Sequence, residues 1–280
     1  MFFFYQFLLI IIVVISPLII LFRLFKNKEH KTRFIEKFSL IKRKRPKGNL
    51  IWFHAASVGE LMSIIPLIQE LEKNKTIKTV LITTSTLSSS KIFENFKFKK
   101  TVHQFFPIDL KYFTLRFLEY WQPTIAIFID SEIWPSMFRE IKKKSVPLIL
   151  MNARITKKSF NKWKFFKSFS RNTFGKIDIA YPSNIETFYY LKKLEINKIK
   201  KIGNLKFTDS KNSNKRLLSK SFVLSLKKRL IWVASSTHPS EETLVGKAHI
   251  HLRKKFKNLL TIIIPRHVNR VKEIKDELET

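Results

Sequence analysis

The residues able to do chemistry fall in short polar stretches, each placed directly after an apolar run. Ser57, Gly59 and Glu60 lie in "ASVGE", behind Ile51, Trp52 and Phe53. Glu132 stands in "DSEIWP", Arg154 in "NAR" and Lys206 in "GNLKF". Ser236 and His238 lie in "SSTHPSEE", and Pro265 and Arg266 in "PRH". A carboxylate in such a place can take a proton from a hydroxyl. A guanidinium there can hold a phosphate or carboxylate through two parallel hydrogen bonds. Hydroxyls ahead of a helix N-terminus make a seat for phosphate. Each residue also has an ordinary reading. Glu60 and Glu132 can be first-turn carboxylates that complement a helix dipole, and Lys206 is one of 41 lysines.

The elements that position these residues follow a rhythm. Apolar, β-branched runs at 49–55, 77–83, 102–106, 124–130, 146–152, 177–181, 199–202, 230–235 and 259–264 predict strands. Helical patterns lie between most of them, among them 109–120 and 184–194, the latter with Asn184 as its N-cap. Alternating strand and helix predicts a mostly parallel α/β sheet covered on both faces. In such sheets ligands bind beyond the carboxyl ends of the strands. The chemistry-bearing stretches therefore gather at one edge. Gly59 is one of only five glycines. Its place after a strand points to a positive φ or to close approach of backbone to a ligand.

The segmentation is a membrane anchor at 1–22, a basic juxtamembrane segment at 23–47 and a Rossmann-like domain at 48–207. A polar linker at 208–220 and the beginning of a second Rossmann-like domain at 221–280 follow. Two strands and two helices are few for a domain of this class, so the second unit is expected to be incomplete. Residues 2–22 carry no charge, a length sufficient for roughly 30 Å of hydrocarbon. A fully buried core helix is the alternative reading. From Arg23 to Lys47 there are eleven Lys and Arg against two Glu, which by the positive-inside tendency leaves the rest of the chain in the cytoplasm. Such a flank can also grip anionic headgroups at about 1 kcal/mol per residue.

The formal net charge of +33 admits an anionic partner, and equally the base composition of an AT-rich gene, since Lys outnumbers Arg 41 to 13. The absence of cysteine excludes disulfides, thiolate zinc sites and cysteine nucleophiles. There is no G-x-G-x-x-G, no Walker A sequence, no nucleic-acid-binding signature and no metal-ligand constellation.

In chain order, "WFHAASVGE", "TTSTLSSS", "PIDL", "DSEIWP", "NAR", "GNLKF", "WVASSTH" and "IIIPRH" resemble the 3-deoxy-D-manno-octulosonic acid (Kdo) transferases, from the anchor to about residue 270. The resemblance implies a GT-B glycosyltransferase on the cytoplasmic face of the inner membrane. It implies inverting transfer of Kdo from CMP-Kdo to the lipid A precursor (lipid IVA), with no metal and no cofactor beyond the donor substrate. By the same resemblance Glu60 is the general base, Glu132 and Lys206 stabilise the transition state, and Pro265 and Arg266 contact the CMP moiety. The implied partners are CMP-Kdo, a phosphorylated lipid and an anionic membrane surface, with no nucleic acid. Two other readings stay open: a membrane-associated GT-B transferase using another donor sugar, and an inactive membrane-tethered remnant.

Overall fold

The computed structural model describes residues 1–203, 205, 219–227 and 229–279. The chain divides into two compact units, Met1–Ser213 and Asn214–Thr280.

The first unit is built on six parallel strands: β1 (Leu50–His54), β2 (Thr79–Thr84), β3 (Thr101–Phe105), β4 (Ile125–Ile129), β5 (Leu148–Ala153) and β6 (Ile179–Pro182). Their order across the sheet is β3-β2-β1-β4-β5-β6. The order reverses direction between β1 and β4, which opens a crevice at their carboxyl ends. Helices cover both faces: α2 (Val58–Lys73), α3 (Leu87–Glu94), α4 (Lys111–Trp121), α5 (Pro135–Lys143), α6 (Lys157–Phe165), α7 (Lys167–Phe174) and α8 (Ile185–Lys193). An apolar helix, α1 (Phe2–Phe25), precedes them.

Alternation along β1 divides the core in two. Leu50 and Trp52 point to the face carrying Phe117, Phe138 and Phe174. Phe53 points to the other face, with Ile64 and Ile68 of α2. Trp52 is fully buried against Phe106, Phe117 and Phe128, with ring centroids 4.9–6.3 Å apart. Rings in tilted and edge-on contact of this kind add to the area they bury.

One expectation changes. Residues 199–202 do not form a strand; Ile199 alone makes a parallel bridge, to Ala180 at the edge of the sheet. Lys200 N–H donates to Ala180 O, and exposed Lys201 and Ile202 then leave the sheet. The basic segment is also more than a lipid-facing flank. Arg33 holds Glu36 at 2.8 Å and the His103 carbonyl at 3.0 Å, and Lys37 pairs with buried Glu29 at 2.5 Å. Arg45 donates to the carbonyls of Trp121, Gln122 and Gly48. These charges fasten residues 29–45 to the first unit.

The second unit contains α9 (Lys220–Leu226), β7 (Leu230–Thr237), α10 (Glu241–Lys255), β8 (Leu259–Pro265) and α11 (Val271–Glu279), with β7 and β8 parallel. Of the linker read at 208–220, residues 208–218 lie outside the described residues, and Lys220 opens α9. Leu230, Ile231 and Val233 of β7 are exposed.

Candidate active site

Beyond the carboxyl end of β1 the chain turns through Ala55 and Ala56 into α2. Ser57 is the N-cap, and its hydroxyl accepts the Glu60 N–H at 3.3 Å. Glu60 replies with both carboxylate oxygens: Oε1 accepts from the Ser57 hydroxyl at 2.9 Å and Oε2 from the Ala56 N–H at 2.8 Å. The motif is a capping box whose second arm reaches one residue past the usual partner. Both readings of Glu60 thus meet in one side chain, which caps the helix and also lies beside the crevice. Burial pushes its carboxyl up to about 7, against the two hydrogen bonds, with repulsion from Glu132 and Asp130 adding to the rise. A carboxyl near neutrality can carry a proton on and off under ordinary conditions.

Glu132 comes from the opposite side of the crevice, in the turn after β4. It accepts from Trp134 Nε1 at 2.9 Å and meets His54 Nε2 at 3.1 Å. His54 ends β1, is fully buried, and stacks on Phe106 at 3.9 Å between ring centroids. Burial lowers its pKa and keeps the ring neutral, despite the nearby Glu132. A neutral imidazole has one N–H. Placed on Nε2 it donates to Glu132, while Nδ1 lies 3.0 Å from the Thr83 hydroxyl, which itself accepts from Trp52 Nε1 at 2.9 Å and donates to the Phe53 carbonyl. The core therefore aims Glu132 through a chain of three side chains. Sequence reasoning missed His54 because it ends an apolar run and reads as strand. The signal was a polar residue on the same strand face as Trp52.

Asp109 was also missed. It resembles a cap for α4, yet Leu110 is the N-cap there and no side chain caps it. Buried Asp109 instead accepts from the N–H groups of Ser136 at 2.9 Å and Met137 at 2.8 Å, capping α5 from another loop. Burial raises its carboxyl to about 6 against these bonds.

Gly59 does not have a positive φ; the glycines that do are Gly48 and Gly203. It is exposed in the first turn of α2, and a Cβ there would meet no atom within 4 Å. The strained positions belong to other residues. Asp130 (φ 60°) after β4 and Asn152 (φ 53°) in β5 are left-handed without being glycine. Such residues concentrate at sites where the backbone is held for a purpose. Asn152 Oδ1 accepts the Leu205 N–H at 3.3 Å. Arg154 is exposed just past β5, its N–H bonded to Asp130 O at 3.2 Å. Lys206 lies outside the described residues. The crevice thus gathers Ser57, Gly59, Glu60 and Glu132, with Arg154 one strand away.

In the second unit Ser236 lies near the end of β7 and His238 follows it, while Pro265 ends β8 and Arg266 follows. Ser236 is left-handed (φ 61°) where the register of β7 slips against β8. The Arg266 N–H donates to Thr237 O at 3.0 Å, which holds the two strand ends side by side. The His238 and His267 rings meet edge-on, 6.4 Å apart. Behind them buried Glu242 accepts from Thr237 at 2.8 Å and Arg270 at 3.0 Å. Among the described residues no group of three His, Asp or Glu converges as a metal site.

Residues 32–209 match the family model described as 3-deoxy-D-manno-octulosonic-acid transferase. The chain is 39% identical to the 3-deoxy-D-manno-octulosonic acid transferase of Rickettsia prowazekii, over 81% of this chain and 49% of that protein. It is 31% identical to a probable mitochondrial 3-deoxy-D-manno-octulosonic acid transferase of Arabidopsis thaliana, over 99% of this chain and 64% of the relative. The chain therefore spans between about half and just under two thirds of the length of these relatives. Among solved structures it is similar to UDP-GlcNAc 2-epimerase from Neisseria meningitidis bound to UDP-GlcNAc, with a TM-score of 0.57 at 16% identity, covering 83% of this chain and 69% of the other. That likeness is one of fold, an α/β architecture of the GT-B type.

Proposed function

The chain belongs to the 3-deoxy-D-manno-octulosonic-acid transferase family, and on that footing we propose that it serves the inverting transfer of Kdo from CMP-Kdo to a phosphorylated lipid A precursor at the cytoplasmic face of the inner membrane. Glu60 is the base. It takes the proton of the acceptor hydroxyl as that oxygen bonds to the anomeric carbon of Kdo. The bond from that carbon to the phosphate oxygen breaks, and CMP leaves with the electron pair. Glu132, held by His54 and Trp134, stabilises the charge that develops, and Lys206 joins it. Pro265 and Arg266 contact the CMP moiety. No metal takes part in this scheme.

The observation that carries the reading is Glu60: a half-buried carboxyl raised to about 7, at the switch point of a parallel sheet. Two measurements test it. Offered CMP-Kdo and UDP-sugars side by side with lipid IVA, the chain transfers from CMP-Kdo; transfer from a UDP-sugar alone assigns a different donor. The pH profile of kcat/KM rises through about 7 and levels above it, because the base acts only when ionised. A profile flat from pH 5 to 9 removes Glu60 from that role.

Gly59 gives a third expected result. Alanine at the first turn of α2 meets open space and favours the helix, so Gly59→Ala leaves the fold as stable or steadier by at most about 1 kcal/mol. Turnover falls roughly 10²-fold if substrate fills that space, since small displacements of reacting groups cost this much. Full activity in the variant makes the glycine incidental.

A further inference from the structure

Among the described residues α1 is the one helix long and apolar enough to cross a membrane. Its start and the segment that follows its end, however, meet the same edge of the same sheet. Near its start the Tyr5 hydroxyl donates to Asp109 at 2.7 Å. Gln6 donates to the Ser136 hydroxyl at 2.6 Å and accepts the Lys111 N–H at 2.9 Å. Past its end, Glu29 joins Arg23 at 3.0 Å to Lys37 at 2.5 Å. The Lys37 carbonyl accepts the Ile108 N–H at 2.9 Å, and Glu36 accepts the Phe105 N–H at 2.8 Å. Residues 106–110 form one loop at the carboxyl edge, with Phe105 of β3 and Lys111 of α4 on either side of it. A helix of 24 residues is about 36 Å long. Crossing roughly 30 Å of hydrocarbon would put Tyr5 and Glu29 on opposite sides. A single loop on one side of the bilayer cannot hold both.

We propose that α1 lies lengthwise in the interface of an anionic membrane, and that the carboxyl edge of the sheet, with Glu60 and Glu132, faces the lipid surface.

The burial pattern agrees. Tyr5, Leu9, Val13, Ser16, Ile20 and Leu24, spaced by three or four, form the less exposed stripe of the helix. The opposite side is bare hydrocarbon: Phe3, Val14 and Leu18 are 88%, 72% and 69% exposed. So large an apolar face is stable in acyl chains rather than water. Cations flank it. Lys26, Lys28 and Lys31 follow its end, and Arg139, Lys143 and Lys176 share a cavity with Phe2 and Phe3 at its start. They complement anionic headgroups at either end of a helix lying flat.

The chain has no cysteine, so labels can be placed singly. Phe3→Cys, Val14→Cys and Phe25→Cys, all at exposed positions, each carry an environment-sensitive fluorophore on the full chain. The chain is mixed with phosphatidylethanolamine–phosphatidylglycerol vesicles bearing quenchers at shallow or deep acyl positions. The expected result is one depth for all three labels, with the shallow quencher the stronger throughout. A Val14 label quenched most by the deep lipid, with both end labels shallow, means that α1 spans and overturns the proposal. Absence of quenching, with label-to-label coupling that grows with protein concentration, means that a second copy covers the helix and overturns it equally. Depth is read without donor or acceptor, so this inference and the transfer reaction fail separately.

Discussion

Replacing Glu60 by glutamine is expected to lower kcat by about 10²–10⁴-fold, the usual contribution of a positioned general base. Substrate binding should change little, because Gln keeps the size and hydrogen-bonding reach of the side chain. The fold should also survive, since Gln closes a capping box as Glu does. The pH dependence of stability makes a built-in control. The Glu60 carboxyl is raised from 4.5 to about 7 in the folded chain. The folded state therefore holds this proton over a range where the unfolded chain has released it. The associated stability is complete below about 4.5 and is lost as pH rises through about 7. Gln has no proton to lose. At pH 8 the variant should melt no lower than the parent while turning over far more slowly. A variant that keeps turnover places the base elsewhere. One that loses both turnover and Tm assigns Glu60 to structure alone.

The second large effect falls on stability. Asp109→Ala is expected to cost roughly 2–4 kcal/mol, because it leaves the buried N–H groups of Ser136 and Met137 without an acceptor. It also removes the partner of Tyr5. Asp109→Asn separates cap from charge. Its single amide oxygen retains part of the cap, so the loss is smaller. The carboxyl is raised from 3.8 to about 6, so its stabilisation is present below about 3.8 and fades as pH rises through about 6. The Asn variant lacks that slope. Chemical denaturation of parent and variant at pH 5 and pH 8 reads the difference directly. Equal losses at both pH values, together with an unchanged Tm in Asp109→Ala, would mean that α5 is held by its packing instead.

The parallel sheet was legible in the chain because its strands are runs such as Ile125–Ile129, apolar on both faces and bounded by turns. The same signal misled at 199–202. There Ile199 and Ile202 enclose two lysines, too little apolar surface to hold a strand, and one bridge at the sheet edge was all that formed. Glu60 and Glu132 could be picked out because each follows a strand. Their electrostatic setting could not. The rise of Glu60 comes from burial and from Glu132, which is 72 positions away in sequence and brought near by the β1–β4 pairing. His54 and Asp109 were hidden because each has a local meaning, strand residue and helix cap, while its actual partners come from other elements. The docking of the basic segment onto the first unit was hidden for a related reason. Composition counts charges but not the buried Glu29 and partly buried Glu36 that engage Lys37 and Arg33.

Glu60 both closes α2 and faces the crevice, and this joins two selections that most sites keep apart. At an ordinary cap, Ser, Thr, Asp and Asn exchange with little consequence. At an ordinary base the scaffold is indifferent to the side chain's other contacts. Here any substitution that abolishes proton transfer is also sampled for its effect on the first turn of the helix, and glutamine alone is neutral on the second count. Random mutation will therefore record position 60 as intolerant for two reasons at once. A lineage that loses the reaction is free to carry glutamine at this position and keep a folded domain.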